Sequence, residues 1–253
     1  MPARPAAAER CAAPAERKSA GRKAAARTLA GRVRQILLRI GLIALLAPPA
    51  LLLIYRFVPV PITPLMLIRL AQGEGLRKDW VSLSQIAPAL QESVIASEDN
   101  QFCEHFGFDW EALKGETEAY LAGRHARGAS TISQQTAKNL FLWPGRSLLR
   151  KALEVPLTLQ IELLWPKRRI VEVYLNVIEL GPGVYGAEAA ARRYFAKPAA
   201  KLSRREAALL AAILPNPRKL SPARPSRYLE GRVRTIETRI EQLGPMLDCV
   251  RPG

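Results

Sequence analysis

Residues 36–58 read ILLRIGLIALLAPPALLLIYRFV, 23 positions broken only by Arg39 near one end and Arg56 near the other. As a helix rising ~1.5 Å per residue, the run reaches about 35 Å, enough to cross a bilayer, and both arginines are placed to snorkel to the interfaces. The uninterrupted piece, residues 40–55, covers only about 24 Å at the same rise, so the ends count. Pro48 and Pro49 kink such a span without forbidding it, because neighbouring structure or water can satisfy the freed carbonyls. No small-x-small cleavage site follows the run, which favours an uncleaved anchor over a signal peptide.

Of the chain's 38 Lys and Arg residues, nine lie in residues 1–34 against only Glu9 and Glu16. This Ala/Pro-rich stretch has no apolar period and is expected to be a disordered basic tail, residues 1–35, on the cytoplasmic side. Everything from residue 59 is then expected outside. Attraction to anionic lipid explains the tail's charge more economically than nucleic-acid binding, and no nucleic acid is expected as a partner. Residues 35–253 carry 29 Lys and Arg against 20 Asp and Glu, so the exported part is itself basic, and a hydrophobic content of 49% rules out a chain disordered throughout.

Three cysteines make no disulfide framework: Cys11 lies across the expected membrane from Cys103 and Cys249, and a bond between those two does not follow from sequence. With only His105 and His125, and no HExxH or Cys-x-x-Cys pattern, no dedicated metal site is expected.

The exported part reads as helix after helix. Helices are predicted to run up to about residue 99, then over 109–121, 131–142, 147–164, 167–180, 185–195 and 203–214, the last with a Ser203/Glu206 capping box and a stop at Pro215. Pro156 is predicted to end or kink its helix near Val155. GPGVYG, residues 181–186, demands a tight turn with glycines at positive φ or in close approach. No alternating β-branched run competes. Residues 221–253 look weakly helical and too short for a further domain, so residues 59–220 carry the domain and 221–253 extend it.

Four segments carry candidate chemistry. RGASTISQQTAKNLF, residues 127–141, predicts a helix starting near Ser130 or Thr131, capped by the Thr131/Gln134 pair, with its first N–H groups offered to an anion. At ~100° per residue, Thr131, Gln134, Gln135 and Lys138 share a face opposite Ile132, Thr136 and Leu140. Taken alone, the segment is a capped amphipathic helix with a solvated face. Glu98 and Asp99 fall where a helix gives way to a loop, an unfavourable place for acids against the helix dipole. A proton-transfer role and an ordinary acidic loop are equally compatible with that pair. RSLLRKALE spaces Arg150 and Lys151 to meet Glu154 at i, i+4 and i, i+3, the usual pattern of a surface ion-pair ladder. KRRIVEVYLN spaces Glu172, Asn176 and Glu179 as a polar stripe, for which a wet face is the plain explanation.

Individually weak, these segments stand in a fixed order. EDNQFCEHFG, GASTISQQTAKN, RKALE and RRIVEVYLN, continued by AARRYFAKPAAKLSRREAALLAAILPNP, together resemble the transglycosylase domain of bacterial cell-wall synthases, glycosyltransferase family 51. The monofunctional biosynthetic peptidoglycan transglycosylases are the best match, over roughly residues 80–217. The resemblance implies a mainly α fold, a lysozyme-like transglycosylase domain behind a single N-terminal transmembrane helix. It also implies polymerisation of lipid II into β-1,4-linked glycan with release of undecaprenyl diphosphate. By position, Glu98 resembles the general base and Glu154 the second glutamate, at the diphosphate. Lys138, Arg150 and Lys151 are then expected to neutralise the leaving group. Ser130, Thr131, Gln134, Gln135, Asn139, Glu172 and Asn176 complete the expected substrate contacts. No cofactor is certain, a divalent cation (Mg or Mn) at the diphosphate being left open. The nascent glycan strand, the membrane and cell-division or elongation proteins are the expected partners, at the inner membrane with a periplasmic catalytic domain. Ala129 departs from a glycine common in the second motif, and Pro156 falls where an uninterrupted helix is expected after Glu154.

Two rivals remain at this point. A lysozyme-like enzyme that cleaves peptidoglycan also uses a lone glutamate, although an uncharged glycan has no use for so many cations. A non-catalytic membrane scaffold only presents charge. A bifunctional penicillin-binding protein is not expected, given the length and the lack of a Ser-x-x-Lys element.

Overall fold

A computed structural model of the chain describes residues 14–123, 130–145 and 147–250. The chain divides into two compact units, Met1–Pro49 and Ala50–Gly253. Helix α1, Pro14–Tyr55, occupies the first and continues into the second. Its start corrects the expectation of a disordered tail to residue 35. Ala, Arg, Lys and Glu are strong helix formers, and the lack of an apolar period bears on packing, not on whether the backbone coils. Residues 1–13, Cys11 among them, lie outside the described part. Within α1 the 25 residues Gly31–Tyr55 are long and apolar enough to cross a membrane, a span beginning five residues before the expected run and ending three before its close. Pro48 and Pro49 stay inside the helix, and Ile40, Leu42, Ile43, Leu45 and Leu46 are exposed.

In the second unit the last turn of α1 is fastened by side chains that donate to its carbonyls. Trp165 Nε1 donates to Leu52 O at 2.7 Å, and the Arg169 guanidinium donates to Tyr55 O at 2.6 and 2.9 Å and to Val58 O at 2.7 Å. A helix C-terminus leaves such carbonyls without partners and carries partial negative charge, so a cation is favoured there. Helix α2, Pro64–Ala71, follows a run of prolines, with Thr63 as its cap and Pro64 in the first turn.

Two helical groups then build the core. Helices α3 (Pro88–Glu98), α9 (Arg204–Ala212) and α10 (Arg227–Leu243) pack on one another; α5 (Ile132–Phe141), α6 (Leu148–Leu164) and α7 (Lys167–Val177) form the second group. Helices α4 (Trp110–Leu121) and α8 (Ala187–Phe195) complete the set. Capping boxes at Thr131/Gln134 and Ser203/Glu206 open α5 and α9 as their sequences predict. Ser147 and Ser226 cap α6 and α10. Pro156 does not end α6, which runs unbroken to Leu164: one missing N–H is outweighed by the burial of Leu157 and Ile161 on the following turn.

Three differences from the sequence reading matter for the site. The helix predicted to residue 180 stops at Val177, and a small sheet follows, ordered β1-β3-β2, with β1 at Arg77–Lys78, β2 at Glu179–Gly181 and β3 at Val184–Tyr185. The turn itself forces this. Gly183 has φ +67°, and a Cβ there would stand 2.1 Å from the Glu74 carbonyl oxygen; such strands are too short to show an alternating pattern. Second, residues 227–243 form a full 17-residue helix whose Leu229, Val233, Ile236 and Leu243 are buried, not a weakly helical extension. Third, Cys103 and Cys249 form a disulfide, their Cα atoms 5.6 Å apart across 146 residues of sequence. Only the return of the chain over α3 brings them together, so no spacing rule finds the pair.

Candidate active site

Helix α3 ends on Glu98, and Asp99 caps it in a non-helical conformation. The two acids separate there. Asp99, buried, turns to the N-terminus of α5: its Oδ2 accepts the Ile132 N–H at 2.8 Å, and its Oδ1 accepts from His105 Nε2 at 2.8 Å. A carboxylate unfavourable at one helix C-terminus is thus favourable at the next helix's N-terminus. This corrects the expectation of an open anion site at the start of α5, since Asp99 takes the Ile132 N–H and the Thr131 hydroxyl takes that of Gln134. Residues 127–129, with Ala129, lie outside the described residues.

Glu98 stays half-buried and points into a cavity of about 450 Å³ whose walls include Ser97, Asn100, Ser130, Arg232 and Arg239. Both of its oxygens accept hydrogen bonds: Oε1 from Ser97 Oγ at 3.0 Å and Oε2 from Gln135 Nε2 at 3.1 Å. The Gln135 amide is oriented by chemistry as well as space. An ionised carboxylate accepts only, so the NH2 must face Glu98, leaving Oε1 for the Tyr174 hydroxyl, which donates to it at 3.1 Å. Burial first, and then the charges of Glu98 and Asp99, push the Tyr174 phenol well above its usual range, keeping it a donor.

Gln135 also borders a second cavity of about 460 Å³, lined by Lys138, Asn139, Arg150, Tyr174 and Glu179 among others. Here the cations gather. Arg150 and Lys151 both pair with Glu154, which is 2% exposed, the lysine at 2.9 Å. Lys151 Nζ also donates to Ser130 Oγ at 3.1 Å, tying the cluster to the wall of the first cavity. Arg150 Nε donates to Gly145 O at 2.8 Å. Burial lowers the proton affinity of Lys138, and the Arg150 charge lowers it further against the opposing pull of Glu98. Lys151 is lowered for the same first reason, then by Arg150 and Lys138. Clustered cations short of counter-charge suit an incoming polyanion. Glu154 is committed to Arg150 and Lys151, and no group of three or more His, Cys, Asp or Glu side chains gathers among the described residues.

The face of α5 expected to be wet is only partly so. Gln135 and Lys138 are half-buried at the cavities, but Thr131 and Gln134 are buried and spend their side chains on the cap, with the Thr131 hydroxyl also donating to Gly107 O at 2.7 Å. Glu172 and Asn176 line neither cavity. Asn176, fully buried, accepts from Val81 N and donates to Val81 O, pinning a loop, while Glu172 pairs with Arg169 beside the end of α1. Of that stripe, Asn176 serves packing, because its partner Val81 comes from a loop that sequence spacing does not reveal, while Glu179 lines the second cavity. Ser97, Tyr174, Arg232 and Arg239 were missed. Tyr174 stands among apolar residues of its helix and carries no local signal; the arginine pair, seven residues apart beside the apolar row of α10, was the available one.

The family model described as transglycosylase matches residues 66–241, and the chain belongs to that family. The chain is similar to a protein named biosynthetic peptidoglycan transglycosylase in Rhodospirillum centenum, 58% identical over 78% of this chain and 88% of that one. It is similar to proteins of the same name in Caulobacter vibrioides, 50% identical over 86% and 96%, and in Rhizobium meliloti, 47% identical over 91% and 98%.

Proposed function

We propose that the protein polymerises lipid II into β-1,4-linked glycan, with Glu98 as the general base. The observation that carries this reading is Glu98, lining one cavity with each of its two oxygens accepting a donated hydrogen bond, one of them from Gln135, which itself lines a second cavity rich in cations. A carboxyl group that had to give a proton to a glycosidic oxygen, as glycan cleavage requires, would face donors on both sides. One that accepts a proton is well served.

In the reaction so read, the acceptor's GlcNAc 4-hydroxyl lies in the Glu98 cavity and the donor's diphosphate in the Lys138 cavity. The hydroxyl oxygen bonds to the MurNAc anomeric carbon from the face opposite the diphosphate. The carbon–oxygen bond to phosphate breaks, its electron pair leaves with the undecaprenyl diphosphate, and the hydroxyl proton passes to Glu98. The α-linked donor becomes a β linkage. Lys138, Arg150 and Lys151 offset the charge that develops on the leaving group, and Glu154 fixes the last two against their mutual repulsion. Such a base contributes about 10²- to 10⁴-fold. Asn139 and Ser130, on the walls of the two cavities, complete the contacts we assign.

The span Gly31–Tyr55 supports placement at the cytoplasmic membrane, with the basic N-terminus inside and the catalytic unit on the outer, periplasmic face. Exposed Phe57, Val58, Leu67 and Leu70 near the end of α1 fit a unit working against the bilayer, where both lipid-tailed substrates reside. Division or elongation proteins fit the same location as partners. Purified full-length protein with labelled lipid II tests the reading: a lysozyme-sensitive polymer is expected, and consumption of preformed glycan without polymer would overturn it.

A further inference from the structure

Helix α3 carries two acids at its C-terminal end and no basic residue in its last turn, so its own sequence leaves the negative end of the helix dipole uncompensated where Glu98 must be held. The compensation comes from α10. Arg239 NH1 donates to Ala96 O at 3.2 Å, and Arg232 NH2 donates to Ser97 Oγ at 3.0 Å. Arg232 Nε donates at the same time to Ala212 O at 3.1 Å, at the end of α9, so the planar guanidinium is fixed by two separate helix ends.

Ser97 has a single hydroxyl proton. With Arg232 donating into its oxygen, that proton is available to Glu98 Oε1 at 3.0 Å; its other acceptor, Ala211 O, is more distant at 3.4 Å. The result is a relay of donors, Arg232 to Ser97 to Glu98, opposite the relay from Tyr174 through Gln135. Docking of α10 does not need this arginine, since Leu229, Val233 and Ile236 are buried and Arg205 pairs with Glu230 across the α9–α10 contact.

We propose that Arg232 is a positioning residue for Glu98, acting through the Ser97 hydroxyl to hold the carboxylate with its accepting lone pair toward the first cavity. The inference rests on the reading of Glu98 as the general base. It assigns to the C-terminal helix a part in the chemistry beyond that of a structural extension.

The test is a double-mutant cycle on the purified full-length protein, following lipid II polymerisation for the parent, Arg232→Gln, Ser97→Ala and the pair, with Arg232→Lys and Arg205→Gln beside them. A charge-assisted hydrogen bond of ordinary strength translates into a loss of roughly 10- to 100-fold in kcat. Arg232→Gln is expected to lose that much with KM for lipid II unchanged, Ser97→Ala to lose a similar amount, and the pair to lose no more than either alone. Arg232→Lys, able to keep one of the two contacts, recovers part of the rate. Arg205→Gln, which loosens the same helix without touching the relay, stays at the parental rate. The proposal is overturned if Arg232→Gln polymerises like the parent, if the two losses multiply, if Arg232→Lys does no better than Gln, or if the change falls in KM. Should Arg232→Gln fail to fold, Ser97→Ala decides alone, and a parental kcat there sinks the proposal. A parent protein that makes no polymer at all rejects the function instead, leaving the two failures distinct.

Discussion

The Cys103–Cys249 disulfide closes a loop of 146 residues, from the segment just after Glu98 to the stretch just beyond α10, so its removal has a calculable consequence. In the chain-entropy model, a cross-link of that span removes about 17 cal/mol/K from the unfolded ensemble, or about 5 kcal/mol at 25 °C. For a domain of this size each kcal/mol moves the unfolding midpoint by about 2–4 °C, which gives a drop of about 10–20 °C. The Cys103→Ser, Cys249→Ser double variant, full length in detergent, is therefore expected to unfold well below the parent when followed by circular dichroism. Reductant should lower the parent toward the variant and leave the variant unmoved. At 25 °C the folded variant should still polymerise, because the native contacts of α10 do not depend on the bond. A midpoint within about 2 °C of the parent would refute the reasoning.

Other expectations follow from the same geometry. Because burial and Arg150 lower Lys138, its charge is present at low pH and lost earlier than an ordinary lysine's as pH rises. The alkaline limb of kcat/KM should therefore lie below the usual lysine range, and Lys138→Arg should move it upward; an unmoved limb counts against Lys138 at the diphosphate. Glu154→Gln leaves the buried Arg150 guanidinium without its counter-charge, at a cost of about 3 kcal/mol, visible as a lower midpoint together with lost polymerisation. Gly183→Ala forces a Cβ against the Glu74 carbonyl at a positive φ, and about 2 kcal/mol of stability should go with it in denaturant titration.

What the sequence made legible is what local physics writes. The capping boxes at Thr131 and Ser203, the ion pairs of Glu154 with Arg150 and Lys151, the glycine turn at 183 and the apolar run of α1 each depend on neighbours within a few residues, and each is present. What stayed hidden depends on chain return. Asp99 occupies the N-terminus of α5 from 33 residues away, and Asn176 serves a loop 95 residues distant. The disulfide and the arginines of α10 meet the Glu98 region only after α10 folds back on α3. Thr131, Gln134 and Asn176, which spacing puts on wet faces, are among the fold's own fasteners, because spacing gives a residue's helical face but not what lies opposite it.

The most direct measurement is the rate of lipid II polymerisation by the Glu98→Gln protein, shown by circular dichroism to be folded, beside its parent. An amide there preserves shape and cannot take the hydroxyl proton, so a loss of at least about 100-fold in kcat is predicted, with substrate binding retained. Elongation at the parental rate would mean the proton leaves by another route, and the account of this cavity would be wrong.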